Sequence, residues 1–196
     1  MKIKAVLIIL GVVIALFLIS QFYFMNAQNN IEQYPYKVEK IYEGFEIRNY
    51  EGALFTSVKL ATNNYDKASS KGFSILAGYI FGGNSDNEKI AMTSPVAMTL
   101  EKNTEMLFLV PKDYTKENLP KPNDKNIEFK EINAKKVAAI SFGGWANDDK
   151  IATYKAKLIK LLDKENIEYT NKFLFLGYNA PMEVVNRKNE VIVELK

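Results

Sequence analysis

The side chains that carry most enzyme chemistry are missing from this sequence. It contains no histidine and no cysteine, so the commonest metal ligand, the commonest general base and the usual nucleophile–base pairs cannot be built. The motifs G-x-G-x-x-G, G-x-S-x-G and S-x-x-K are absent as well. We therefore predict no catalytic residue and no metal site. A hydrolase that acts through two carboxylates stays open as a remote alternative.

Methionine is the soft side chain that remains, and it clusters around two prolines. Met92 and Met98 lie in KIAMTSPVAM (89–98), and Met182 lies in FLGYNAPMEV (175–184). Because thioethers are flexible and polarizable, such a cluster suits the wall of an irregular apolar cleft. Packing within the core is the alternative role for all three methionines.

The elements that must position these residues occur twice along the chain. Residues 37–111 and 127–195 each read as two strands, one helix and two further strands. One half alone would leave an apolar sheet face uncovered, so we expect two ββαββ halves packed around a pseudo-twofold axis. Pro95 and Pro181 would take the same place in each half, after the helix, where a strand bends or ends.

The two predicted helices have recognisable starts and apolar faces. Asn63 or Asn64 can cap the first helix, and Asn147 or Asp148 the second. Their apolar faces are predicted to pack on the sheet. The positions that share a face are Tyr65, Ala68, Gly72, Phe73, Leu76 and Ile80 in the first helix, and Ile151, Tyr154, Leu158, Leu161 and Leu162 in the second.

The first 25 residues predict a membrane anchor. Ala5–Phe24 is a run of twenty almost wholly apolar residues, which as a helix would span about 30 Å, the thickness of the hydrocarbon core. Lys2 and Lys4 precede it, and basic residues stay on the cytoplasmic side. The sequence thus predicts a single-pass protein of the cytoplasmic membrane. Its domain (37–196) would lie on the periplasmic or extracellular side, joined to the anchor by a linker (26–36).

A cleaved signal peptide is the alternative for this segment. The cleavage site should carry small residues at the −1 and −3 positions. Cleavage after Ala27 would place Met25 at −3, and cleavage after Ser20 would place Leu18 there. Secretion after cleavage therefore stays as the second prediction for localisation.

The charge balance argues against nucleic acid as a partner. The chain has 26 basic and 23 acidic residues, and without Lys2 and Lys4 the balance is 24 to 23. A nearly neutral domain lacks the basic surface that a phosphate backbone requires. The partners we predict are a small amphipathic molecule and the membrane, and the sequence sets no oligomeric state.

Five segments resemble the heme-binding protein/SOUL family, in the order EGFEIRNYEG, GYIFGGN, KIAMTSPVAM, FGGW and GYNAPMEVVNRKNEVIVEL. The resemblance covers about Tyr34–Leu195. It implies an α+β domain with a twisted, barrel-like sheet of two pseudo-symmetric halves and two helices. It further implies binding of heme or a related tetrapyrrole in an exposed apolar groove. Family members are typically soluble and intracellular, so the N-terminal anchor is a departure.

A tetrapyrrole needs a flat apolar wall and cations for its propionates. For such a ligand the candidate binding residues are Lys67, Lys71, Phe73, Leu76, Tyr79, Ile80, Met92, Met98, Tyr178 and Met182. Core packing is the alternative for the apolar members, and plain solvent exposure for the two lysines. Ser70 and Gly78 stand where some family members carry cations, so the family's basic contacts on this helix are not clearly matched.

The absence of histidine restricts how iron could be held. Methionine, tyrosine or lysine would have to serve as an axial ligand, and we expect none. The alternative function is a binding module for another amphipathic small molecule or a protein partner, without heme. Trp145 is expected at a pocket rim or half-buried, and Arg48 and Arg187 in structural ion pairs.

Overall fold

The computed structural model describes residues 2–28, 31–62, 64–101 and 104–196. This part of the chain confirms the predicted α+β class, with three helices and nine strands. In chain order they are α1 (Lys2–Gln28), β1 (Tyr36–Tyr42), β2 (Phe45–Tyr50), β3 (Ala53–Leu60), α2 (Tyr65–Ile80), β4 (Val96–Thr99), β5 (Thr104–Leu109), β6 (Ile127–Ile132), β7 (Lys135–Gly143), α3 (Asp148–Lys164), β8 (Tyr169–Gly177) and β9 (Lys188–Leu195).

The strands form one antiparallel sheet in the order β1-β2-β7-β9-β8-β4-β5-β3-β6. β1 and β6 are the two ends of this order, so the sheet is not closed. The pairing of β4 with β8 joins the strands that surround α2 to the strands that surround α3. α2 packs on β3 and β5, and α3 packs on β7, β8 and β9. Each helix therefore covers the strands that are its neighbours in sequence.

Three strands precede α2, rather than the predicted two. The chain reverses between β1 and β2 at Gly44, whose φ of +90° is a conformation that glycine adopts without steric cost. The resulting hairpin pairs Tyr42 with Phe45, and their rings stack 4.6 Å apart. β-branched and aromatic residues occur on both sides of this turn, which is why the sequence alone did not separate the two strands.

Neither of the two prolines lies within a strand, but they do not take the same place. Pro95 directly precedes β4, whereas Pro181 lies beyond the end of β8. Because β4 and β8 are antiparallel and Val96 pairs with Gly177, the two proline segments nevertheless meet at one end of the sheet. The Ser94 hydroxyl donates a hydrogen bond to the Tyr178 carbonyl oxygen there, at 3.2 Å.

Asparagine caps begin both domain helices. The Asn64 side chain accepts a hydrogen bond from the backbone N–H of Lys67 at 3.0 Å, and Asn147 accepts one from Lys150 at 2.8 Å. Each cap satisfies a donor that the first helical turn leaves without a partner. Asn63, the other candidate cap of α2, lies outside the described residues.

The buried faces of both helices follow the predicted spacing, but the buried face of α2 is rotated slightly from the predicted one. A Cβ atom at Gly72 would meet Leu60 at 2.9 Å and the Met106 sulfur at 3.0 Å, so α2 approaches the sheet closely at that point. Phe73 and Tyr65 are only partly buried. The buried helical residues are Ala68, Gly72, Leu76, Ala77, Tyr79 and Ile80 in α2, and Ile151, Leu158 and Leu162 in α3.

The predicted N-terminal apolar helix is present as α1. Its segment Ile3–Phe22 is long and apolar enough to cross a membrane, although a signal sequence would meet the same criterion. Residues 26–28 of the predicted linker continue the helix, while residues 29–30 lie outside the described chain. Further on, Tyr34 is buried against the sheet, and its backbone N–H donates to the Ser94 carbonyl oxygen at 2.9 Å.

Candidate functional site

A cavity of about 780 Å³, which we call the α2 cleft, lies beside the first domain helix. Its three walls are the outer face of α2, the sheet around β4 and β8, and the β8–β9 loop (residues 178–187). The proline segments meet at this end of the sheet. The irregular backbone that ends β8 therefore also forms one side of the cleft.

The helical wall follows directly from how α2 packs. Leu76 and Ile80 point into the core, so the neighbouring face lies at the edge of the contact between α2 and the sheet, where the Phe73 ring lies 5.4 Å from that of Phe108. This face presents Phe73, Ala77 and Phe81 at spacings of four residues, which places them in one row along the helix. The row gives the cleft an aromatic and aliphatic side.

The wall formed by the sheet is also apolar. Met98 and Met106 come from β4 and β5, and Phe175 comes from β8. All three are buried. Tyr65, at the start of α2, packs edge-on against Phe175 with ring centroids 5.1 Å apart. Burial raises the pKa of Tyr65, the Asp66 and Asp148 charges add to this effect, and the nearby Arg187 charge only partly opposes it, so the phenol is held neutral.

The β8–β9 loop is held in shape by its own polar side chains. The carboxylate of Glu183 accepts hydrogen bonds from the Asn179 amide at 2.6 Å and from the Ala180 backbone N–H at 3.3 Å. Arg187 donates to the carbonyl oxygens of Ala180, at 3.0 Å, and of Glu183. These contacts fix a loop that has no strand pairing between residues 179 and 187.

Arg187 supplies the one positive charge among the described residues that line the cleft. Its guanidinium lies over the Trp145 ring, 3.9 Å from the ring centroid. Burial lowers the pKa of Arg187, and its Nε atom has no hydrogen-bond partner. A buried cationic donor without a partner is costly, so this group is suited to an anionic ligand. Arg187 was expected in a structural ion pair, and no such pair is found among the described residues.

Arg48 does form the expected structural ion pair, away from the cleft. Its guanidinium donates to both carboxylate oxygens of Glu190, at 2.8 and 3.0 Å, and Glu190 also accepts from the Tyr178 hydroxyl at 2.6 Å. Burial alone would raise the pKa of Glu190, but the hydrogen bonds and charge of Arg48 lower it below 4.5. Tyr178, a predicted site residue, thus holds strands together and does not line the cleft.

The structure brings two of the ten predicted site residues together at the cleft, Phe73 and Met98. The other residues of α2 point elsewhere because one helix cannot present all of them on one side. Lys67 and Lys71 do not line the cleft but border a shallow depression that shares Asp66, Ser70 and Ser74 with it. Leu76, Tyr79 and Ile80 are buried in the core, and Tyr79 donates its hydroxyl proton to the Pro120 carbonyl oxygen at 2.8 Å. Met92 packs against the core, and Met182 is exposed.

Several cleft residues were not predicted, although the sequence carried a signal for some of them. Ser70, Ser74 and Gly78 form a row of small residues at four-residue spacing on α2. A Cβ atom at Gly78 would meet nothing within 4 Å. A row of small side chains beside an apolar face predicts a groove on a helix. The convergence of Trp145 and Arg187 depends on long-range folding and had no local signal.

The described residues hold no group of three or more metal-ligating acidic, histidine or cysteine side chains. The described residues thus define an α+β domain with a cleft between a helix and an antiparallel sheet, and the size, apolar walls and single cation of this cleft are typical of a small-molecule site.

The chain belongs to the SOUL heme-binding protein family, whose sequence pattern matches residues 31–194. It is 30% identical over 174 residues to heme-binding protein 1 of Xenopus laevis, covering 85% of this chain and 91% of that protein. It is 28% identical over 155 residues to human heme-binding protein 2, covering 75% of this chain and 76% of that protein. The family membership that the five sequence segments indicated is thereby confirmed.

Solved structures with little sequence similarity share the fold. The C-terminal domain of EcmrR superposes with a TM-score of 0.61 at 13% identity, covering 82% of this chain and 98% of that domain. A structure described as a hydrolase from Listeria innocua gives a TM-score of 0.57 at 8% identity, with 78% and 91% covered. Similarity at this level of identity establishes the architecture alone.

Proposed function

We propose that this chain binds heme or a related tetrapyrrole in the α2 cleft, without a histidine ligand. The observation that carries the proposal is the cleft, whose volume of about 780 Å³ lies within the range of roughly 300–1,000 Å³ that small-molecule sites occupy. Its mostly aromatic and aliphatic walls suit a flat macrocycle. Membership in a family whose relatives are named heme-binding proteins supports the same ligand class.

The cleft fits the macrocycle and one of its two propionates. Phe73 and Phe81 offer aromatic contact along α2, and Arg187 offers a fork of donors to a carboxylate. Asp66, the one anion among the described lining residues, disfavours a second carboxylate beside it. When bound, the heme supplies the redox and ligand-binding chemistry of its iron. The protein supplies apolar contact, one ion pair and exclusion of water.

The described residues that line the cleft would offer a bound iron no strong ligand. The thioether sulfur atoms of Met98 and Met106 are the soft ligand atoms in the walls. Both side chains are packed in the buried core. The raised pKa of Tyr65 disfavours the phenolate that would bind ferric iron. We therefore treat binding as independent of iron coordination.

We also propose that α1 tethers the domain outside the cytoplasmic membrane. The span Ile3–Phe22, with Lys2 and Lys4 at its amino-terminal end, favours an uncleaved anchor with its amino terminus inside.

We further infer that the domain consists of two pseudo-symmetric halves, because β6-β3-β5-β4 and β2-β7-β9-β8 repeat one order on either side of the β4–β8 pair. Superposition of residues 37–111 on residues 127–195 in an experimental structure tests the symmetry.

The function is tested by titrating the full chain in lipid nanodiscs with hemin. A saturable Soret change near one hemin per chain, beyond that of empty nanodiscs, is expected. A change that grows without saturation and equals that of empty nanodiscs would reject the proposal.

A second candidate function is the binding of an amphipathic molecule with a single acidic group. The observation that favours it is the single cation of the cleft, since heme carries two propionates. Thermal-shift measurements distinguish the two candidates, because a ligand that binds the folded state stabilises it by an amount that grows with the logarithm of the ligand concentration divided by its Kd. Stabilisation by fatty or bile acids, with none by hemin, would favour this second function.

A further inference from the structure

The outward face of the β8–β9 loop is apolar, which is the reverse of an ordinary surface loop. Met182, Val184 and Val185 are 68%, 49% and 43% exposed, whereas the charged Glu183 between them is 3% exposed. Glu183 is turned inward because Asn179 and Ala180 donate hydrogen bonds to it. A contiguous apolar patch on a surface loop marks a surface that contacts something apolar.

The same loop is attached to the end of the apolar helix α1. The Gln21 side chain donates to the Met182 carbonyl oxygen at 3.3 Å and accepts from the Val184 backbone N–H at 3.0 Å. Both ends of the amide are therefore bonded to the loop backbone. Gln21 is also the one buried side chain among those described in α1. A polar residue in an apolar span is costly unless its amide is satisfied in this way.

The position of Gln21 along α1 sets the depth of the β8–β9 loop relative to the bilayer. The apolar span ends at Phe22, so Gln21 lies where the helix leaves the hydrocarbon of a bilayer. The loop backbone that it bonds must lie at the same level, with Met182, Val184 and Val185 directed outward. These three side chains would then contact the boundary between acyl chains and headgroups, where partly buried apolar groups are favoured.

We propose that the β8–β9 loop is a membrane-docking surface that holds one wall of the α2 cleft against the bilayer that anchors the chain. The inference rests on the proposed membrane tether and ligand cleft. Pro181 and Arg187 of this loop line the cleft, so the loop is shared between the cavity and the lipid surface. An amphipathic ligand dissolved in the membrane can then reach the cleft without crossing open water.

The chain contains no cysteine, so single cysteines can be introduced and spin-labelled without background. Labels at Met182→Cys, Val184→Cys and Val185→Cys in the full chain in nanodiscs are compared with a label at Ile41→Cys. Ile41 is an equally apolar, exposed residue on the edge strand β1. Oxygen, which dissolves in lipid, and a water-soluble nickel chelate serve as the two relaxing reagents.

The three loop labels are expected to show a several-fold higher oxygen-to-nickel accessibility ratio than the label at Ile41→Cys. Ratios equal to that at Ile41→Cys would overturn the proposal. Protection of the loop labels from both reagents would indicate a protein contact and would overturn it as well. Substituting Gln21→Leu should lower the loop ratios by freeing the loop, whereas Ser20→Ala, which removes only a hydrogen bond to Phe17 within the helix, should not.

Two further readouts separate failure of this inference from failure of the proposed function. A label at Ile14→Cys, inside the span, reports the anchor itself, and an aqueous signal there would overturn the tether together with the docking surface. Hemin titration of the same nanodiscs reports the ligand. Lipid-exposed loop labels without saturable hemin binding would retain the docking surface and reject the ligand.

Discussion

In the proposed site, recognition of an anionic ligand would depend on Arg187. Its guanidinium is positioned by Trp145 and by two carbonyl oxygens, and its buried Nε has no hydrogen-bond partner. Hydrogen bonds to charged groups contribute about 1.5–3 kcal/mol. Arg187→Ala should therefore weaken hemin binding by about tenfold to a hundredfold.

A ligand without free carboxylates separates the charge effect from a disturbed loop. Hemin dimethyl ester should bind Arg187→Ala and the unsubstituted chain with nearly equal affinity in fluorescence-quenching titrations. A loss of similar size for the ester and the acid would show that Arg187 acts by shaping the loop alone.

The lack of any imidazole leads to a prediction about the metal. Because the macrocycle is held by apolar contact and one ion pair, metal-free protoporphyrin IX should bind the full chain with an affinity close to that of hemin. Parallel titrations in nanodiscs measure both. Binding of hemin that is stronger by two or more orders of magnitude would show that a protein atom coordinates the iron.

At the scale of elements, a buried ion pair joins strands from both ends of the chain. Arg48 of β2 bonds to Glu190 of β9, which also accepts from Ser141 of β7 at 2.9 Å. Removing one partner of a buried pair costs about 3–5 kcal/mol when the other charge is left uncompensated. Arg48 keeps a second, partly exposed partner in Glu46, at 2.8 Å from its Nε atom, so Glu190→Gln should lower the free energy of unfolding at pH 7 by about 3 kcal/mol, the lower end of that range.

The pH dependence of this effect has a definite sign. The pKa of Glu190 in the folded chain lies below its ordinary value of 4.5, so the stabilisation is complete above pH 4.5 and is lost as the pH falls through the folded pKa. Circular dichroism of denaturant unfolding should show the difference between Glu190→Gln and the unsubstituted chain shrinking below pH 4.5. The control is Glu194→Gln, which lies on the same strand as Glu190 and removes a more exposed ion pair with Lys172 of β8. It should lower the free energy of unfolding by less than about 1 kcal/mol.

The sequence was most informative about elements and least about their mutual orientation. Periodicity located both domain helices, and the sequence narrowed their caps to Asn63 or Asn64 and to Asn147 or Asp148, of which Asn64 and Asn147 cap the helices. The turn at Gly44 was not predicted, because β-branched and aromatic residues occur on both sides of it. The sequence also could not set the rotation of α2, which decides whether Leu76 or Phe73 faces the cleft.

The candidate site was predicted less well for the same physical reason. A binding site collects residues that are distant in sequence, such as Phe73, Met98 and Arg187, and local patterns contain no information about that convergence. The ten predicted residues were chosen by type and by helical position. Half of them are apolar residues that the hydrophobic core also requires. The face of α2 that lies closest to the sheet is buried in that core, so its residues do not line the cleft.

At the scale of the whole molecule, the proposed orientation of the chain rests on two lysines and one apolar span. If Lys2 and Lys4 keep the amino terminus inside, as proposed, a reporter enzyme that is active only outside the cytoplasm should be active when fused after Lys196. Activity of the matching cytoplasmic reporter would reverse the orientation. Loss of the span from the mature chain, measured by intact mass, would instead favour a signal peptide.

The central claim, that the α2 cleft is the binding site, is tested most directly at Gly78. A Cβ atom there meets nothing within 4 Å, and replacing a helical glycine favours the helix by up to about 1 kcal/mol, so Gly78→Phe should fold and fill the cleft. The matched control is Lys71→Phe, on the same helix but outside the cleft. In nanodisc titrations Lys71→Phe should bind hemin like the unsubstituted chain, and Gly78→Phe should bind more than about tenfold more weakly. Equal hemin affinity of Gly78→Phe and Lys71→Phe would contradict the account.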